Sequence, residues 1–249
     1  MCSMHSADLR NAALELTAQG VNDCEISRRL GVPRSTVRDW RRPARPRARE
    51  IEHCWRCWRP TTPLRLAAAD YAELLGLYLG DGHISRFART ERLRIYLDAR
   101  YPTVVDQGRA LLERCFPANR IGRVSQYEGS MVILGVYHAH LGCLFPQAGS
   151  GKKHERLIRL ERWQTEIIES APWRFLRGCI RSDGCVFVNR TGRYEYLSYE
   201  FSNLSREIVD LFIAACEQLG LRPRRYSRYV RLYRREDVAQ LLAEVGTKA

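Results

Sequence analysis

The chain has 249 residues, enough for one sizeable core and a small appended domain. Its formal net charge is +13, and only three of the 41 basic residues are lysine, a balance that favours a polyanionic partner. No apolar run approaches the roughly 20 residues of a membrane span, the opening MCSMHSADLR has no secretion-signal core, and nine scattered cysteines read as reduced cytoplasmic thiols.

Residues 7–42 read as three short helices. Ala12, Ala13, Leu14, Leu16 and Ala18 mark the first, ending near Gly20. Asn22 to Glu25 has capping-box spacing and opens a second, with Ile26 and Leu30 as its buried face. Gly31-Val32-Pro33 makes the turn, and RSTVRDWR (34–41) follows with Val37 and Trp40 as its apolar stripe. The opposite face carries Arg34, Ser35, Arg38 and Arg41, donors that suit phosphates and guanine edges. The stretch resembles the resolvase-type and homeodomain-like helix-turn-helix, which implies DNA binding by residues 1–42.

Residues 43–65 are expected to be a linker. RRPARPRAR (41–49) is basic and broken by proline, so it cannot be one helix. It reads either as a basic arm along a nucleic-acid groove or as a solvated tether. Cys54-Trp55-Arg56-Cys57, next to His53, supplies half of a zinc site. His138, His140 and Cys143 are distant candidates for the other half, while Trp55 and Trp58 could simply dock the linker.

The main domain is expected over residues 66–249. An apolar helix ends in LLGLYLGDG (74–82), with Gly76 and Gly80 on one face and Gly82 placed for a left-handed cap. His83–Phe87 and Arg92–Asp98 read as strands; in the second, Leu93, Ile95 and Leu97 face one way and Arg92, Arg94, Tyr96 and Asp98 the other. Tyr101–Phe116 is an amphipathic helix, Arg120–Tyr127 and Met131–His138 a second strand pair, and His140–Phe145 a short closing helix. Gly149–Ser170 links the halves. The order then replays. Pro172 opens a helix ending in LRGCIRSDG (176–184); Cys185–Arg190 and Tyr194–Asn203 are strands; Ser205–Leu219 is a helix. RPRRYSRYVRLYRR (222–235) reads as a strand pair presenting Arg224, Arg228, Arg231 and tyrosines on one face, and Val238–Val245 as a final helix. The fold class is α+β: two pseudo-symmetric αββαββα repeats, about 66–150 and 171–249, behind a small all-α domain.

Asp81 and Asp183 each end an apolar helix, where the helix already carries about half a negative charge. Packing the helices through their small faces would bring both carboxylates together, an arrangement that calls for a cation. Two copies of Leu-x-Gly-x-x-x-small-Asp-Gly resemble the LAGLIDADG motif of homing endonucleases. The first keeps Leu74, Gly76, Leu77, Asp81 and Gly82; the second keeps Leu176, Gly178, Ile180, Asp183 and Gly184. The motif's sixth-position acid is replaced by Leu79 and Arg181, whereas its metal-binding eighth-position acid is present twice.

The resemblance covers roughly residues 66–249. It implies a monomer with two packed motif helices, two sheets forming a DNA saddle, and Mg²⁺-dependent hydrolysis of both strands of duplex DNA. Asp81 and Asp183 would hold the metal and carry the catalysis; a basic residue often assists, and none is assigned here. The protein would be cytoplasmic and nucleoid-associated. The alternative is a transcriptional regulator that uses the same fold to bind DNA without cutting it. No C-terminal His-Asn of a splicing intein is present, so a free-standing protein is expected.

Overall fold

The structure, a computed structural model, describes residues 7–41, 66–88 and 90–248, which fall into two compact units. The expected linker arm and the Cys54–Cys57 pair lie outside the described residues. Among the described residues no helix is long and apolar enough to cross a membrane.

The first unit holds α1 (Ala7–Ala18), α2 (Asp23–Leu30) and α3 (Arg34–Arg41). The Asn22 side chain accepts from the amides of Cys24 and Glu25 at 3.1 and 3.0 Å, giving α2 its start. Gly31, at φ 64°, ends α2 in the left-handed conformation that only glycine adopts cheaply. Ala13, Ile26, Val32 and Val37 form a small separate core, edged by Leu9, Leu16 and Trp40.

The second unit runs α4 (Ala68–Asp81), β1 (Gly82–Arg86), β2 (Glu91–Asp98), α5 (Pro102–Cys115), β3 (Gly122–Gln126), β4 (Met131–His138), α6 (Leu141–Leu144), a 3₁₀ turn (Lys153–Glu155), α7 (Arg162–Ser170), α8 (Pro172–Asp183), β5 (Gly184–Thr191), β6 (Tyr194–Ser202), α9 (Arg206–Gln218), β7 (Arg224–Arg225), β8 (Tyr229–Leu232) and α10 (Arg235–Glu244). Two antiparallel four-stranded sheets result, in the orders β1-β2-β4-β3 and β5-β6-β8-β7. Leu93, Ile95 and Leu97 of the first sheet, and Tyr199, Phe201, Val230 and Leu232 of the second, are buried in one shared core.

The two motif helices lie at the centre. Every residue of α4 from Tyr71 to Leu79 is buried, so the helix is apolar nearly all round. Its contact with α8 is backbone against backbone. A Cβ on Gly76 would fall 2.5 Å from the Phe175 carbonyl oxygen and 2.8 Å from the Cys179 nitrogen. A Cβ on Gly178 would collide with the carbonyl of Glu73, and one on Gly80 with Ser182. One charged cluster sits in this interface. Glu73, 2% exposed, pairs with Arg174 at 2.9 Å and with Arg181, the residue at the sixth motif position.

Three expectations are corrected. Gly82 is not a left-handed cap, and neither is its counterpart Gly184: their φ values are −89° and −95°, extended backbone. Each helix passes directly into a strand with no loop, and a Cβ at either glycine would lie 2.5 Å from the Cα of the residue four before it, Tyr78 or Ile180. The glycines therefore serve close approach. The link between the halves contains α7, whose Gln164 is buried and donates to Tyr71 Oη at 2.7 Å. The 222–235 strand pair is confined to β7 and β8; Arg222 instead binds Asp237 at 2.7 Å, and Arg235 already belongs to α10.

Candidate active site

Close packing of α4 on α8 ends at the two acids. Asp81 and Asp183 each occupy the last position of their helix. Burial raises Asp81 to about 7, and the neighbouring charge of Asp183 adds to the rise. Asp183 is also held above the usual carboxylate range, by burial. Its hydrogen bond from Asn203 Nδ2, at 2.6 Å, opposes that rise. The position equivalent to Asn203 in the first half is Leu97, an apolar core residue, so Asp81 has no counterpart of this bond.

Each helix end is met by an ammonium. Lys153 Nζ donates to the carbonyls of Tyr78, Leu79 and Gly80, the latter two at 3.0 and 2.8 Å. These are last-turn carbonyls; that of Tyr78 also accepts from the Gly82 amide, while those of Leu79 and Gly80 lie past the last helical bond. Lys248 Nζ donates to the carbonyl of Ser182 and, at 3.5 Å, to that of Gly184, at the end of α8. Burial lowers Lys153 to about 8, against the pull of Asp183 and Asp81. Two of the three lysines in an arginine-rich chain thus stand at the two motif-helix ends. Sequence reasoning assigned no basic residue here; the rarity of lysine was the available signal.

The acids open on different hollows. Asp183 lines a cleft of about 690 Å³ with Lys153, His83, Arg156 and Asn203. Asp81 lines a second hollow with Tyr96, Arg100, Ser182 and Lys248. His83 is exposed on β1; partial burial, then Arg94, Lys153 and Arg156, lower its pKa, so the imidazole is neutral at pH 7.

The sheets' outer faces carry most of the remaining sequence candidates. Arg92, Arg94 and Tyr96 alternate with the buried Leu93, Ile95 and Leu97 along β2. Arg92 lies over the Tyr137 ring, 5.2 Å from its centroid. On the second sheet, Arg224 and Arg231 are register partners, and Arg231 sits 5.1 Å from the ring centroids of Phe187 and Tyr229. Arg228 is exposed just before the start of β8. In the first unit, Arg34, Ser35 and Arg38 are exposed on α3, while Arg41 pairs with Asp23. The other possible zinc residues adjoin one another: His138 and His140 are buried, the His140 amide donates to His138 Nδ1 at 3.1 Å, and Cys143 follows on α6. Among the described residues no cluster of three or more metal-ligating side chains occurs.

Two antiparallel sheets around a central pair of helices, each helix ending in Asp-Gly, define the LAGLIDADG fold, and the second unit has it. The first unit is helix-turn-helix in kind: a family model described as a homeodomain-like domain matches residues 4–42. Among solved structures, the homing endonuclease I-DmoI in complex with DNA and manganese matches 72% of this chain and 97% of its own, with 15% identity and a TM-score of 0.50. The N-terminal LAGLIDADG domain of DUF199/WhiA matches 75% of this chain and 87% of its own, with 14% identity and a TM-score of 0.47. Full-length DUF199/WhiA from Thermatoga maritima matches 75% of this chain and 58% of its own, with 13% identity and a TM-score of 0.48. At these identities the likeness is one of fold. No curated protein matches the chain in sequence.

Proposed function

We propose that this protein binds duplex DNA through the outer faces of its two sheets and its helix-turn-helix unit, and hydrolyses both strands at Asp81 and Asp183 with a divalent cation. The observation that carries this reading is the convergence of two carboxylates at adjoining helix C-termini. Negative charge has no structural use there, and it raises the energy of the folded chain. The donor set is all oxygen, two carboxylates beside helix-end carbonyls, which suits magnesium. Asp81 and Asp183 would hold the ion, which when bound supplies Lewis-acid polarisation and an acidified water. Lys153 and Lys248 would offset the negative charge of a scissile phosphate, and neutral His83 on the Asp183 side can accept a proton. Similarity in fold to I-DmoI, whose structure contains DNA and manganese, supports the reading.

A DNA-binding regulator that does not cut is the second reading, and one observation favours it. Both helix ends already have an ammonium on their carbonyls, so the fold carries cations of its own. The deciding experiment incubates the protein with a genomic DNA library, with Mg²⁺ or with chelator, and sequences the ends formed. Metal-dependent ends that vanish in both Asp81→Asn and Asp183→Asn are expected of the nuclease. DNA binding with no new ends in either condition would establish the regulator, and ends that survive both substitutions would move the chemistry to other residues.

A further inference from the structure

Strand register relates the two halves residue by residue. The motif glycines Gly82 and Gly184 pair with Ile95 and Phe201. Ile95 and Phe201 are therefore equivalent, and so are the outward-facing residues before them, Arg94 and Glu200. One step further along, Arg92 is equivalent to Ser198. The outer face thus reverses its charge between halves at this position.

The surroundings of these residues differ accordingly. Among the described residues neither Arg92 nor Arg94 forms an ion pair, and the Nε of each is buried without an acceptor. Arg94 spends one Nη2 hydrogen bond on Ser85 Oγ at 2.7 Å. The buried Nε atoms are out of a phosphate's reach, but with no carboxylate partner the Nη donors remain for a phosphate oxygen. On the second sheet, Arg231 of β8 lies opposite Glu200. Its Nε and Nη2 both donate to Glu200 Oε2, at 3.1 and 2.6 Å. The rings of Phe187, Tyr226 and Tyr229 surround the guanidinium and hold it in that position. Only about a quarter of either side chain is exposed, so salt screens this pair less than a surface bridge.

We propose that Glu200 is an internal competitor for phosphate. It withholds Arg231 from the duplex, so the first sheet anchors the DNA and the second engages it weakly. This rests on the DNA-binding reading above but not on cleavage. The mechanism is one of exchange: Arg231 can contact phosphate only by giving up Glu200, whose carboxylate then faces the polyanion unpaired.

The test uses the full chain and random-sequence duplex, with affinity measured across a salt series and folding checked by thermal melting. Glu200→Gln should bind several-fold more tightly, with a log K against log[salt] slope steeper by about 0.9, the value of one added phosphate contact. Arg94→Gln should bind more weakly, with a slope shallower by about the same amount. Arg231→Gln leaves Glu200 unpaired toward the polyanion and should weaken binding, and the double variant Glu200→Gln/Arg231→Gln should lose the gain. Retention of the gain in the double variant would mean that Glu200 merely repels DNA, which overturns the proposal. So would an unchanged slope in Glu200→Gln. If the unaltered protein binds no duplex at low salt, the DNA-binding reading itself fails.

Discussion

Asp81 illustrates how one residue's position sets its chemistry. Its carboxyl titrates near 7, while an unfolded chain would ionise it near 3.8. The folded state therefore favours the protonated form. That contribution is fully present below about pH 4 and is lost as pH rises through 7. Asp81→Asn removes the charge and keeps the shape. Melting of wild type and variant in chelator should coincide near pH 4, diverge in the variant's favour up to pH 7, and stay parallel above it. A gap independent of pH would show that Asp81 ionises normally in the folded protein. Lys153 runs the other way: its pKa falls to about 8, so its stabilising contribution, present above 10.5, is lost as pH falls through 8. Asn203 divides the acids further, because it hydrogen-bonds Asp183 while Leu97 offers Asp81 nothing.

At the scale of elements, the α4–α8 pair is the critical contact. Its closest atoms are backbone, which cannot yield as a side chain can. Gly76→Ala should cost about 3 kcal/mol, the upper part of the usual overpacking range, read by chemical denaturation. A loss under 1 kcal/mol would mean the helices separate easily. The interface also has a charge key. Glu73 on α4 meets Arg174 and Arg181 on α8, and Arg174 meets Asp70 at 2.7 Å. The equivalents of Arg174 and Arg181 on α4 are Ala72 and Leu79, so neither helix could satisfy these charges against a copy of itself. Glu73→Ala would leave Arg174 on Asp70 but strand the Arg181 head in the interface, and breaking a buried pair typically costs about 3–5 kcal/mol.

For the whole molecule, the two units have separate cores and can be taken apart. Deleting residues 1–41 should leave the melting transition of the second unit in place. It should weaken duplex binding and flatten its salt dependence, since each lost phosphate contact removes about 0.9 from the slope. Equal affinity before and after the deletion would take the helix-turn-helix out of the binding account. The outer arginines of the second unit are not equivalent donors, because Arg231 is engaged with Glu200 whereas, among the described residues, Arg92 and Arg94 have no carboxylate partner.

Much of this was legible in the chain alone, for local reasons. Small residues four apart, followed by Asp-Gly, specify a helix that packs closely and ends in a carboxylate. Alternation along β2 specifies its two faces, and Asn22 with Gly31 specifies the start and end of α2. Such signals act within a few residues, so they survive in one dimension. What tertiary structure alone decided depends on residues distant in sequence. Lys153 and Lys248 reach the two helix ends across 73 and 66 residues of chain, and nothing near either lysine announces a carbonyl partner. Arg231 reads in the sequence as a donor on a strand face; only the pairing of β6 with β8 joins it to Glu200. The motif glycines show the boundary most clearly. Asp-Gly at a helix end predicts a left-handed cap, yet here the chain runs straight from helix into strand, because the sheet begins where the helix stops.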